Sequence, residues 1–274
     1  MKTFFLDGKS YFAEQSILTI YFGQEHFSFS VYEPQKTGSF YFKELFFDVQ
    51  RDVFSVFKEK FFENDLFSFP FRKVIILYRT PVFTFVPNKI YNDIYKEDFM
   101  QFMFSEKEGL TLTHSISSSG IQVLYKIPEN IHSFILRSFV KPEIIHYSTP
   151  FITFFTEKIE KTDDCRMIVN MKEKGIDIFC FSKETLLLGN YFPCKSIQEM
   201  VYFILFTWKQ LQLSQLNDSL NVAGNSDLKY ELIDLVSPYI QNIYNLSVFT
   251  EKHFDGIDTE IIPFELATLS SCGL

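Results

Sequence analysis

Between Ile17 and Phe22 the chain is almost wholly apolar, and after a short break at Gly23–Glu25 it begins to alternate. Phe27, Phe29 and Val31 fall on one side, and Ser28, Ser30 and Tyr32 on the other. That period of two belongs to a strand. Pro34 and Gly38 mark the next turn, and a third strand is expected over Ser39–Phe46. Val49, Val53, Val56, Phe57 and Phe61 then recur at helical spacing. Lys73–Tyr78 is a short, nearly continuous apolar run, as a strand buried on both faces should be.

The same order returns further on. Arg166–Met171, Ile176–Phe181 and Leu186–Phe192 are expected as three strands, with turns at Lys172–Gly175 and Ser182–Thr185. Ser196 is placed to cap a helix whose buried stripe is Ile197, Met200, Val201, Ile204, Leu205, Trp208 and Leu211. Ser219–Gly224 is a short buried strand, followed by a turn and a helix through Ile240. Strand, strand, strand, helix, strand thus occurs twice, each time over about half the chain. A meander followed by a helical crossover to a parallel strand gives a mixed sheet with helices on its faces. The expected domains are 1–161 and 162–274, with an inserted segment at about 80–128 in the first. That segment reads as a turn and helix over Thr80–Phe104, then a hairpin around Ser119 and Gly120. Phe134–Val140 continues as a helix, Pro142–Tyr147 carries a further strand, and Thr149–Lys161 is the helix crossing between halves. Pro150 suits its first turn.

Composition narrows the function classes. The 274 residues include 35 Phe, which favour pleated, half-buried surfaces. Net charge is −8, and no basic stripe is present, so no nucleic-acid partner is expected. Cys165, Cys180, Cys194 and Cys272 lie too far apart for paired zinc ligands, and Cys180 reads as a buried small hydrophobe. No leader pattern and no transmembrane segment is seen. The expectation is a cytoplasmic protein with an unknown protein partner.

The duplicated meander resembles the actin-like ATPase fold of actin, sugar kinases, chaperone ATPases and type IV pilus assembly ATPases. Within that fold the chain resembles an uncharacterised Bacteroidales domain family. The resemblance implies an α/β fold of two ribonuclease H-like halves and a nucleotide cleft. It also implies a D-x-G phosphate loop after the first strand, where this chain has Tyr21, Phe22 and Gly23. The second phosphate loop, D-x-G-G in active relatives, becomes Asn170 with only a late Gly175, and the adenosine turn corresponds to Leu220–Asp227 with Gly224 at its key place. The nucleotide-binding positions carried over are Gly23, Gln24, Lys172, Lys174, Gly175, Gly224 and Asn225. The final helix of the fold is matched by the small-residue run Pro263–Leu274.

Mg²⁺ takes oxygen ligands, carboxylates among them, and neither Tyr21 nor Asn170 carries a charge. No catalytic residue, metal site or cofactor is therefore expected, and the leading reading is a degenerate binding or scaffolding module. Two alternatives stand beside it. One is an ATPase using ATP with Mg²⁺ through altered ligands, Asp7 or Asp177; the other is a small-molecule binding protein with an aromatic cleft. Leu6–Ser10 ends like a P-loop, but Thr3 stands where the earlier glycine belongs. Too little chain precedes it for a strand, so a simple turn is expected. No H-x-x-x-H pair and no G-x-S-x-G is present.

Overall fold

The computed structural model describes residues 2–23, 26–46, 52–105, 108–157, 164–172, 174–183, 185–224, 228–246, 251–257 and 262–272. It divides into two compact units. The first comprises Met1–Ser115, Gln122–Thr149 and Thr250–Thr259; the second comprises Ile116–Ile121, Pro150–Phe249 and Glu260–Leu274. The units therefore part between Thr149 and Pro150 in the main chain, upstream of the expected 161/162 boundary, and each takes in a segment from elsewhere.

The first unit opens with β1 (Thr3–Leu6) and β2 (Lys9–Phe12), an antiparallel hairpin. The expectation of no strand before Asp7 is thus corrected: four residues suffice when the turn is tight. Asp7 and Gly8 take φ of 46° and 75°, the paired left-handed residues that close a two-residue hairpin. β3 (Ile17–Phe22), β4 (His26–Tyr32) and β5 (Tyr41–Phe46) form the expected meander. α1 (Val53–Glu63) starts where Asp52 accepts a hydrogen bond from the Ser55 amide at 2.9 Å. β6 (Lys73–Tyr78) returns parallel to β3.

The insertion follows. β7 (Phe83–Pro87), α2 (Lys96–Met103), β8 (Leu110–Ile116) and β9 (Ile121–Ile127) give a three-stranded sheet in the order β7-β9-β8. β7 lies where the sequence pattern gave only a turn, because Pro81 and Pro87 frame it. α3 (Glu129–Ser138) and β10 (Glu143–His146) complete the unit, with β10 parallel to β6. The main sheet reads β10-β6-β3-β4-β5. Its α1 side is filled by rings: Phe57 meets Phe22 and Phe27 edge-on, both at 5.1 Å.

α4 (Ser148–Glu157) leads into the second unit, with Pro150 in its first turn as expected. β11 (Cys165–Lys172), β12 (Gly175–Ser182), β13 (Thr185–Pro193), α5 (Ile197–Gln210), β14 (Ser219–Ala223) and α6 (Lys229–Val236) repeat the order of the first. A fifth strand, β15 (Asn242–Asn245), was not legible in the pattern. α7 (Phe264–Cys272) closes the described chain. The sheet reads β13-β12-β11-β14-β15. Fifth strand, fourth, first, second, third is the order in both units, with the same sense at every pairing.

Met167, Val169, Met171, Ile176, Ile178 and Cys180 pack against α5 and α6 on one face of this sheet. On the other, Phe151 of α4 and Phe264 of α7 meet, and Phe151 reaches Phe179 at 4.7 Å. Alternation along β11 and β12 produces both faces, so this unit is three layers thick. Ser196 caps α5 as expected, accepting from the Glu199 amide. No helix among the described residues is long and apolar enough to cross a membrane.

Candidate functional site

The two hairpins that the fold places in equivalent positions, β3–β4 and β11–β12, carry most of the expected site residues. In the first, Tyr21 stands opposite Ser28 and Phe22 opposite Phe27. Both Tyr21 and Phe22 are buried, at 2% and 3% exposure. Phe22 turns toward α1 and also stacks on Tyr78 at 5.8 Å. Gly23, the next residue, is buried; Gln24 lies outside the described residues. Thr19 and Tyr21 of β3 share a face with Ser28 and Ser30 of β4. This row is polar, and Glu44 of β5 stands opposite Ser28 at its edge. The hydroxyls of Thr19 and Ser28 are buried without a hydrogen-bond partner among the described residues.

In the second hairpin Asn170 stands opposite Asp177 and Lys172 opposite Gly175. Asn170 and Lys172 are two apart on one strand, so their side chains leave the same face. They meet the same acceptor. Asn170 Nδ2 donates to Glu265 Oε1 of α7 at 3.1 Å, and Lys172 Nζ forms an ion pair with that oxygen. The Glu265 side chain is 1% exposed and that of Lys172 14%. Lys174 is exposed at the turn, and its carbonyl accepts from the Tyr191 hydroxyl at 2.8 Å and the Cys194 amide at 3.1 Å.

The glycines have packing reasons for being glycine. A Cβ on Gly224, at φ 100°, would sit 2.5 Å from the Met171 carbonyl oxygen and 3.1 Å from Asn170 Oδ1. One on Gly175 would sit 2.2 Å from the Phe192 carbonyl oxygen. Lys172, Gly175 and Gly224 are therefore gathered at one end of one sheet. Gly23 belongs to the other compact unit, and Asn225 lies outside the described residues.

Glu265 was missed in the sequence, although a signal was there. It is the sole charged residue in the run Pro263–Leu274, and a lone acid in an apolar helix needs a buried partner. His146 was missed as well. It is fully buried, with Nδ1 2.7 Å from Ser148 Oγ, and burial pushes its pKa down to about 3. Cys180 is buried as expected, its thiol pushed up to about 12 by burial and so unreactive. Among the described residues no three His, Cys, Asp or Glu side chains are grouped to hold a metal.

Two comparisons now bear on the fold. Residues 9–243 match a single family model, described as protein of unknown function (DUF3822). The chain belongs to that family. This DUF3822 chain is also similar to a solved structure from Bacteroides thetaiotaomicron, a protein with actin-like ATPase fold and unknown function. The two are 23% identical over 95% of this chain and 97% of that one, with a TM-score of 0.82. A second similar structure is the PilM–PilN type IV pilus biogenesis complex. There the identity is 8%, the coverage 93% and 96%, and the TM-score 0.56. No curated protein matches the DUF3822 chain. Its fold is the actin-like ATPase fold, as the repeated strand order led one to expect.

Proposed function

We propose that this chain is a non-catalytic actin-like module whose task is to bind a protein partner. The observation that carries the reading is the Asn170–Lys172–Glu265 cluster. The lysine best placed to meet a phosphate at the second hairpin already has a carboxylate. A Mg²⁺–nucleotide wants carboxylates turned toward the metal and backbone amides open to the phosphates. Here one carboxylate is spent on Lys172, and the first hairpin supplies Tyr21 and Phe22 in place of an acid. The donor set does not suit that group. That the similar PilM structure is a complex with PilN supports a protein partner as a use of this fold, by analogy only. No disulfide joins the four cysteines, which agrees with a reducing, cytoplasmic setting.

Calorimetry of the full chain with ATP–Mg²⁺ tests the reading. The expected result is no binding tighter than about 10 µM. Tighter binding, or turnover abolished by Asp177→Asn, would replace it with an ATPase that uses the buried Asp177 opposite Asn170.

A further inference from the structure

Lys172 and Asn170 make an arrangement normally built for a ligand. An ammonium and an amide, both carried at the end of one strand, converge on a single oxygen. Two donors of different type aimed at one point form an anion-binding geometry, and charge-assisted bonds of this kind are the strong ones. The anion is supplied by the chain itself. Glu265 arrives from α7, 95 residues after Asn170, and its carboxylate is as buried as the core around it. The strand beneath is fixed by the close approach of Gly224 to Met171, so the donors have little freedom to swing away. Lys172 keeps some contact with solvent, which leaves a route for a small ion.

We infer that the end of the β11–β12 hairpin is a small-anion site permanently filled by Glu265, and that this internal anion fastens α7 to the sheet. The inference rests on the reading above, in which no nucleotide fills this hairpin. It goes further in naming the occupant and what it holds. The site takes a carboxylate, and the second unit keeps its closed arrangement with no outside ligand.

Chemical rescue tests the site. Glu265→Ala removes the carboxylate and leaves Lys172 and Asn170 facing a space about the size of formate. The expected melting temperature is about 5–10 °C below the parent. Sodium formate at about 100 mM should raise it by several degrees through binding to the folded state only. The parent protein, and Glu265→Gln with its amide still in place, should not respond beyond the effect of sodium chloride at equal ionic strength. Equal responses from Glu265→Ala and the parent, or none from either, would overturn the inference. A second comparison holds even if Glu265→Ala fails to fold. Lys172→Met alone strands a buried carboxylate, so Lys172→Met/Glu265→Gln should melt higher than Lys172→Met. A double variant that melts lower overturns the pairing. ATP binding by the parent is a separate readout: it would remove the proposed function and leave the formate result standing.

Discussion

At the end of the β3–β4 hairpin the structure is held by rings, and at the end of β11–β12 by a buried ion pair. Phe22 and Phe27 meet Phe57 edge-on, whereas Lys172 and Asn170 meet Glu265. Strand order and the sense of each pairing are otherwise the same. The backbone ladder therefore sets the architecture, and the side chains beside each turn are free to solve the local problem by different chemistry. Rings contribute apolar area and dispersion in any orientation that packs. A buried ion pair contributes little net stability, since desolvation offsets attraction, but breaking it is costly. The first hairpin is thus stabilised by quantity of contact and the second by a specific match.

The largest effect should come from attacking the rings. Phe57→Ala removes the hub that joins Phe22, Phe27, Phe61 and Phe134, at a cost of about 4 kcal/mol. Urea melts read the total, and hydrogen exchange should locate the loss in the first unit. Uniform loss across both units would break the comparison.

Gly224→Ala should cost about 3 kcal/mol, because φ 100° and the Met171 carbonyl both oppose a side chain. Gly8→Ala is the control. Its φ of 75° is left-handed too, but nothing lies within 4 Å of the added carbon, so about 1 kcal/mol is expected. Equal losses in the two variants would show that crowding beside Asn170 plays no part.

Acid should separate the units as well. All five histidines fall in the first. Burial pushes His146 down to about 3 and His253 to about 4. Lowered values for a base mean that the folded unit prefers the neutral ring, while the unfolded chain takes up protons below about pH 6.5. The stabilisation is whole above that value and is lost as pH falls toward the folded pKa values. At pH 5 each ring should have cost about 2 kcal/mol. Melting curves from pH 8 to 5 check this, with limited proteolysis expected to nick the first unit before the second. A flat profile would show that these rings stay accessible to protons.

The smallest effect is expected at Ser196, whose hydroxyl accepts from the Glu199 amide. Ser196→Ala should cost about 1 kcal/mol by thermal denaturation. It touches neither hairpin end, so its loss should add to that of Gly224→Ala within error.

These contrasts also show what could be read beforehand. β3, β4, β11, β12 and α5 were legible because period and length agreed with burial, and Ser196 because a cap is a local matter. β15 was not, since Asn242–Asn245 is four half-exposed residues without alternation. β7 was hidden by its flanking prolines and β1 by its shortness. At the site, the glycines could be singled out through the resemblance to the actin-like ATPase fold. Their reason could not, because Gly224 is constrained by Met171 across a parallel pairing. The Glu265 partnership was out of reach for the same cause: pairings this distant in the chain leave no periodic mark.

The segment Lys252–Phe254 belongs to the first unit although it follows nearly all of the second in the chain. His253 stacks on Tyr32 at 4.7 Å, Phe254 packs on Phe40 at 4.7 Å, and the Gly38 and Phe40 amides donate to carbonyls of Lys252 and His253. During synthesis, then, the first unit emerges from the ribosome early but waits for its last piece until Pro150–Phe249 of the second unit has been made. Until then one side of Tyr32 and Phe40 is bare, and a nascent chain in that condition is a natural client for a holding chaperone. A chain truncated before Lys252 should stay bound to such a chaperone, where the 274-residue chain is released.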